Sequence, residues 1–481
     1  MATTEALPRM GHREGDAYRA VEVEHVLRVY DRCGGGDSWP LGCRVESVVK
    51  SGGEATLDAH KLLVEEHKAA ILKEFGRDVL SGKLVKDPPV RGPYGLAKIV
   101  LREGAMPRRQ RGFQLTGERE KAVVNIVDEF VERGWLEPSY SEWASTALVV
   151  PKKVAGDWRM VVDYRGLNEV TVHDSYNLPL IDTILQRQAM MKVFTVLDMK
   201  KGYHQMPLAQ ESRPLSAMVT PSGLWQWKVM PMGVKNGNAA FQRMMEWVLK
   251  DFPNATPFVD DVIIASGGDP VEEAIENHRK DLEDVMKTFR EHQLVCDMSK
   301  VKMFVAEVEF CGHILGHGQR RPNPDKLKAL EKWTRPTTVT ELRSFLGFCN
   351  WYHDYVYQFA DVAAPLMSML KVPAGQAKKG SRVKVRWSEE AIKAWEELKK
   401  RLLGSLMLEL VDTSKPFVLK TDASDYAVGA VLEQERKKGG RTVDCPVGFW
   451  SIKLTKGQRQ SGSPREQETY AIVEGLKRWS G

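Results

Sequence analysis

The sequence has no run of eighteen consecutive apolar residues, and its first twenty, MATTEALPRMGHREGDAYRA, contain no apolar core. Neither a membrane-spanning helix nor a secretory leader is therefore expected. Cysteine is scarce: six occur, at positions 33, 43, 296, 311, 349 and 445, with no CxxC pair and no His/Cys cluster at zinc-ligand spacing. That scatter argues against a disulfide framework and a zinc site, and reduced thiols inside a cell fit best. There is no internal repeat and no long low-complexity tract. Strong net charge is missing too: the formal balance is +6 and the pI about 8.8. This modest basic excess permits a polyanionic partner without demanding one.

What remains is a chain of 481 residues, 42% hydrophobic, long enough to bury several cores. Residues 1–90 read as loops around short helices such as HKLLVEEHKAAILKEF, and no chemistry can be assigned to them. The stretch TGEREKAVVNIVDEFVERGWLEPS predicts an amphipathic helix, capped by Thr116, with Glu118 and Glu120 at its positive end and Pro138 as its stop. The β-rich runs ASTALVVPKK, DWRMVVDYRGLN, KVFTVLDM and ATPFVDDVIIAS follow, interleaved with the helical NGNAAFQRMMEWVLKDF and EEAIENHRKDLEDVMKTFREHQ. A mixed α+β domain is expected here. Beyond it the pattern turns helical to about residue 370. Residues 371–386, with six basic side chains and no acid, read as an exposed linker. A second β-rich unit begins at KPFVLKTDASDYAVGAVLEQE, read as two strands around Asp422, and ends on the helix-like REQETYAIVEGLKRW.

The run FVDDVIIAS raises the first chemical question, because Asp260 and Asp261 head what otherwise reads as a buried strand. Burying an unpaired carboxylate costs several kcal/mol or forces protonation. One resolution is a hairpin tip that shares its carboxylates with cations. Two Mg2+ ions roughly 3.5 to 4 Å apart would bridge them and clamp an in-line phosphoryl displacement. A third carboxylate is then expected on a neighbouring strand, and Asp198 supplies it, at the end of VFTVLD and just before a turn at Gly202. Taken alone, an Asp-Asp pair is a solvated turn in most proteins.

Further blocks change that balance. PSYSEWASTALVVPKK, DWRMVVDYRGLN, LDMKKGYHQMPL, MPMGVKNGNAAFQRMM, FVDDVII, FCGHILGHGQRRPNPDKLKAL and LRSFLGFCNWYHDYV stand in order between Pro88 and Trp479. Together they resemble the reverse transcriptase of gypsy-type LTR retrotransposons and, more distantly, that of retroviruses. The resemblance implies an α+β fold: a right-hand polymerase of fingers, palm and thumb, followed by a partial ribonuclease H-like α/β domain. It divides the chain into an N-terminal extension (1–90), fingers and palm (91–320), a thumb-like helical region (321–370), the basic linker (371–386) and a truncated ribonuclease H-like domain (387–481).

Within the resemblance, Asp198, Asp260 and Asp261 match the palm carboxylates that hold two Mg2+ ions, with Mn2+ as a possible substitute. Lys152 and Arg159 match cations on the incoming triphosphate, a point charge and a planar fork. Lys153 is an understudy for Lys152. By themselves these residues also fit a solvated hairpin. Tyr203 matches the aromatic under the incoming sugar, where a bulky ring excludes a 2′-hydroxyl; by itself it also fits a core tyrosine. FCGHILGHG resembles the hairpin that grips the primer end, and Trp351 and Tyr352 fit either core or duplex contact. Asp422 and Glu468 match the first two metal carboxylates of ribonuclease H. The third is expected downstream of position 481, so that activity is expected to be incomplete. The motif departs from the family at Met232, at Asn236-Gly237-Asn238 and at Phe258.

The implied partners are an RNA or DNA template with its primer and dNTPs, with no membrane. The implied setting is a cytoplasmic particle or the nucleus. No DTG or DSG triplet, zinc knuckle or integrase-type zinc site occurs. Protease, capsid and integrase are therefore expected on other segments of a longer polyprotein. The competing expectation is a retroelement-derived, nucleic-acid-binding relic that polymerises poorly.

Overall fold

The computed structural model describes residues 54–481 apart from 113–114, 153–155, 189, 371–382, 405–406, 425, 439–440, 456–457, 459–462 and 480–481, with side chains from residue 59 onward. Lys153 and most of the basic linker lie outside the described residues. Residues 58–481 make one compact unit.

The first helix, α1 (Glu54–Phe75), buries Ile71 and Phe75 in the large central core. His60 and His67, two turns apart, face Glu272 and Glu276 at 2.5 and 2.9 Å. Of the stretch that carries no motif, the described residues Ile71, Phe75, Val79 and Leu80 thus belong to the same core. In α2 (Glu118–Glu132), Ala122, Val123, Val127 and Phe130 form the buried face that the periodicity predicts. Its ends differ from expectation. Gly117, with φ 62°, holds the N-cap position in place of Thr116 and offers no side chain. The helix stops before Pro138, because Gly134 takes φ 70°. Its N–H and that of Trp135 bond to the carbonyls of Val131 and Phe130. That pair of bonds is a Schellman closure, and glycine is the residue that adopts its left-handed backbone without strain.

Four sheets follow. β1 (Leu136–Pro138), β2 (Ser145–Pro151), β3 (Trp158–Asp163), β5 (Met218–Thr220) and β6 (Gly223–Trp227) make one of five strands, ordered β1-β6-β5-β2-β3. In it only β2 and β5 run parallel. Two short helices, α3 (Arg165–Val170) and α4 (Ile181–Arg187), lead into β4 (Val193–Asp198). With β7 (Ala255–Phe258), β8 (Asp261–Ser266) and β9 (Lys302–Val305), β4 forms a sheet ordered β7-β8-β4-β9. The run ATPFVDDVIIAS is therefore two strands and a tight turn. Helices α5 (Gly237–Val248) and α6 (Val271–Glu291) pack on this sheet. Next come β10 (Glu307–Phe310), β11 (His313–Gly316) and β12 (Gln319–Pro322), which meet β13 (Leu408–Glu409) in a third sheet.

Four helices, α7 (Pro324–Glu331), α8 (Val339–Trp351), α9 (Phe359–Ser368) and α10 (Glu389–Leu403), share a second core around Phe345, Trp395 and Leu398. Residues 383–385 run beside Thr337–Val339, with Val385 N–H bonded to Thr337 O at 2.9 Å. Finally β14 (Val418–Ala423), β15 (Ala427–Lys438) and β16 (Arg441–Lys453) form a three-stranded antiparallel sheet covered by α11 (Pro464–Trp479). Asp422 lies within the first strand instead of between two. No described helix is long and apolar enough to cross a membrane.

A buried polar chain locks α6 to β4 and β8, the two strands that carry Asp198 and Asp261. Phe304 N–H reaches Thr195 Oγ1 at 3.2 Å, and Thr195 Oγ1 lies 2.7 Å from Nε2 of His278. On the other side Nδ1 of His278 lies 2.9 Å from Ser266 Oγ, which donates to Asp281 at 2.6 Å. Because Ser266 spends its proton on Asp281, the bonding pattern places the imidazole proton on Nδ1. Burial pushes His278 down to about 3, so it stays neutral. Replacing His278 with leucine leaves the buried Thr195 hydroxyl without its acceptor and Ser266 Oγ without its donor. We expect a loss of about 2–4 kcal/mol in urea unfolding; a loss below about 0.5 kcal/mol would contradict this role.

Candidate active site

Antiparallel pairing of β4 with β8 sets Asp198 directly opposite Asp261. Directly opposed residues in such a ladder have Cα atoms about 4.5 to 5.5 Å apart, so both carboxylates leave the sheet at one end. Asp260 occupies the two-residue turn between Phe258 and Asp261, which also pair. The other turn residue, Val259, has φ 54°, a left-handed conformation that a β-branched residue adopts at a cost of order 1–3 kcal/mol. Gln242, fully buried on α5, over-determines that turn. Its Oε1 accepts from Val259 N–H at 2.6 Å and its Nε2 donates to Pro257 O at 2.8 Å. Met199 N–H adds a bond to Asp260 O at 2.9 Å. The three aspartates predicted from sequence are thus brought together, and Gln242 is a positioning residue that sequence reasoning missed.

The tip is short of positive charge. Oδ1 of Asp260 is buried and has no hydrogen-bond partner among the described residues. It points toward Gly202, where an added Cβ would lie 2.8 Å away, so glycine is what leaves room for it. Burial first, then the charges of Asp261 and Asp198, lift the Asp260 carboxyl to about 6. Burial and Asp198 also raise Asp261. The compensating cation is Lys300, whose Nζ donates to both Asp198 oxygens at 2.9 and 3.0 Å.

Among the described residues no group of three or more His, Cys, Asp or Glu side chains is arranged to hold a metal ion. At this tip the reason is visible, since Lys300 engages Asp198 while Asp260 turns inward. The donor set itself, three carboxylates with one unsatisfied buried oxygen, has the chemistry of a hard divalent cation site.

Around the tip, Tyr203 sits in a short 3-10 turn (Gly202–Gln205), packs on Phe241 at 5.6 Å between centroids, and donates to Asn238 Oδ1 at 2.7 Å. One of the residues at which the resemblance breaks, Asn238, is therefore the tyrosine's partner. Burial, then the Asp260 charge, holds the phenol above its ordinary range. Arg159 lies on β3 opposite Val150, and Lys152 follows the end of β2. Both are exposed, with Lys152 3.4 Å from Asp157. Burial lowers the pKa of Lys201, three residues past Asp198, and repulsion from Arg133 and then Lys152 adds to it, which sets the β2–β3 hairpin near the tip.

Tyr352 is buried, its hydroxyl donating to Gly312 O at 3.2 Å, while Trp351 is 49% exposed. The structure so separates two residues that the sequence left equivalent.

At the far end of the chain, Asp422 pairs with Gly429 on β15. Ala471 of α11 packs with Val428, which pairs with Ala423, and Gly475 sits against Leu419 and Ala430. Glu468, one turn before Ala471, therefore lies at the Asp422 end of the sheet. The Asp422 carboxylate is nevertheless held from the other side, by Gln358 Nε2 at 2.5 Å and Tyr357 OH at 3.4 Å. Asp361 of α9 stands nearby, accepting from Ser424 Oγ at 2.9 Å, and its carboxyl is raised by burial and then by Asp422.

These features match known proteins. The model of the family "Reverse transcriptase (RNA-dependent DNA polymerase)" matches residues 150–315, and that of the "RNase H-like domain found in reverse transcriptase" matches residues 387–481. The retrovirus-related Pol polyprotein from transposon 297 of Drosophila melanogaster is 35% identical over 378 residues, covering 77% of this chain and 33% of that protein. The corresponding polyprotein from transposon opus is 30% identical over 440 residues, covering 88% and 42%. The chain thus spans less than half the length of these relatives. A foamy viral protease–reverse transcriptase in complex with double-stranded DNA superposes with a TM-score of 0.71 at 23% identity, covering 92% of this chain and 74% of that one. The chain has the right-hand polymerase fold, and it carries a reverse transcriptase domain with an RNase H-like domain behind it.

Proposed function

We propose that this chain, a reverse transcriptase by family, is an RNA-directed DNA polymerase that adds deoxynucleotides from dNTPs to a primer 3′-hydroxyl on an RNA or DNA template. It acts as one segment of a retrotransposon polyprotein inside the cell, beside capsid, protease and integrase segments. Residues 91–320 supply fingers and palm, 321–370 a thumb, 371–386 a basic connection and 387–481 the ribonuclease H-like part, behind an extension at 1–90. The observation that carries the reading is the register that opposes Asp198 to Asp261, with Asp260 at the turn between β7 and β8.

Asp198, Asp260 and Asp261 are the oxygen donors that would hold two Mg2+ ions, or Mn2+; when bound, such ions acidify the primer hydroxyl and neutralise the triphosphate and pyrophosphate charge. The chain's own groups do the rest. Lys152 and Arg159 project from one hairpin toward solvent and brace phosphate oxygens, the first as a point charge and the second as a fork. Tyr203 is braced by Phe241 and at its hydroxyl by Asn238, which supports its reading as the rigid ring under the incoming sugar that excludes a 2′-hydroxyl. The alternative, a nucleic-acid-binding relic, gives three clustered carboxylates no task to offset their mutual repulsion.

Asp260→Asn removes charge while keeping volume. It should reduce DNA synthesis by at least roughly 10³-fold, as expected for loss of an electrostatic clamp, with template–primer affinity retained. Activity within tenfold of the parent, or binding lost along with activity, would contradict the assignment.

Tyr203→Ala should raise rNTP incorporation relative to dNTP incorporation. A ring that only fills the core would lower both rates together and leave the ratio unchanged.

Asp422, held by Gln358 and Tyr357, is expected to support little cleavage of labelled RNA in an RNA–DNA hybrid. Efficient Mg2+-dependent cleavage that Asp422→Asn abolishes would show the ribonuclease site to be complete.

A further inference from the structure

We propose that Lys300 is a built-in counter-ion of the carboxylate tip that competes with divalent cations, so that the tip accepts its metal as the Lys300 ammonium withdraws from Asp198. The inference rests on the polymerase reading above. Three carboxylates converge where β4 ends and β7 turns into β8, and Oδ1 of Asp260 is buried without a partner. The ammonium of Lys300 bonds both oxygens of Asp198, at 2.9 and 3.0 Å. Those oxygens carry the lone pairs that a hard cation would need, and one carboxylate cannot give them fully to both.

The base of the lysine is fixed and its stem is free. Asp297 N–H bonds to Asp198 O at 2.8 Å, Lys200 N–H to Val295 O at 2.9 Å, and Lys300 N–H to Asp297 O at 2.9 Å. Lys200 Nζ also pairs with Asp297 at 2.7 Å. These bonds stitch the loop between α6 and β9 to the backbone just after β4, which keeps Lys300 beside Asp198. The Lys300 side chain is 59% exposed against 23% for Asp198, so it approaches from the solvent side. Its four-carbon stem can swing out without opening the core. Two states follow. Without metal, the ammonium offsets the repulsion among the acids. With metal, the ammonium is released beside the site, and metal affinity is lowered by the energy of the pair it must break.

The test uses the full chain without nucleic acid, and Mn2+ as the probe, counted by the electron-spin resonance of the free ion. Lys300→Met keeps the stem and removes the charge. It should bind Mn2+ about fivefold more tightly, the equivalent of roughly 1 kcal/mol of ion-pair energy. In chelator it should melt below the parent, and that gap should close as Mg2+ is added. Lys300→Arg, which keeps a cation at the position, should stay near the parent on both readouts. Equal or weaker Mn2+ binding by Lys300→Met would overturn the counter-ion role. If Asp198→Asn leaves the parent's Mn2+ binding intact, the tip is not the metal site, and the polymerase reading and this inference fall together.

Discussion

The opposition of like charges at the end of two paired strands is the constraint on which the rest of this structure depends. β4 before Asp198 and β8 after Asp261 are almost wholly buried, so the sheet can pack against α5 and α6, and only the tip must reconcile charge with partial burial. Every neighbour of the tip answers to that problem. Gly202 leaves room for a carboxylate oxygen, Gln242 holds a turn that Val259 would not adopt unaided, and Lys300 supplies an ammonium to Asp198. Behind the strands, the neutral His278 chain fixes α6 so that the register cannot slip, and a one-residue slip would turn each aspartate to the opposite face.

What the sequence made legible follows from how local each signal was. Asp198 closes one apolar run while Asp260 and Asp261 head another, and a charge at the edge of a buried strand is visible within six residues. The helix over residues 118–132 was readable from its spacing, but its limits were set by Gly117 and Gly134 through their backbone conformations, which compete with the side-chain signals at Thr116 and Pro138. Gln242, Asn238 and Lys300 were not legible as site residues. Each meets the tip or Tyr203 across 17 to 102 positions of chain, and only tertiary folding reveals such partners. Asn238 carried a faint signal, since it stands where the resemblance breaks.

The C-terminal sheet is tied to the polymerase fold by charge as well as by apolar packing. Arg320 on β12, nearly fully buried, bonds Asp182 of α4 at 2.9 Å and lies 3.6 Å from Asp354 after α8. Arg478 of α11 reaches the same Asp182 at 3.4 Å. Burying a guanidinium is tolerable only because two acids surround it, and removing either one would leave an uncompensated charge. Through this cluster the last helix, the β10–β12 hairpins and the helical region share one electrostatic knot. The hold of Gln358 and Tyr357 on Asp422 gives the same regions a second link.

The central claim is that the tip formed by β4 and the β7–β8 turn is a working polymerase centre. Primer extension on poly(rA) primed with oligo(dT), with dTTP and Mg2+, tests it most directly. The account predicts template-dependent lengthening of the primer that stops when the divalent ion is chelated. A protein that binds the primed template but leaves the primer at its starting length, in Mg2+ and in Mn2+ alike, would contradict it.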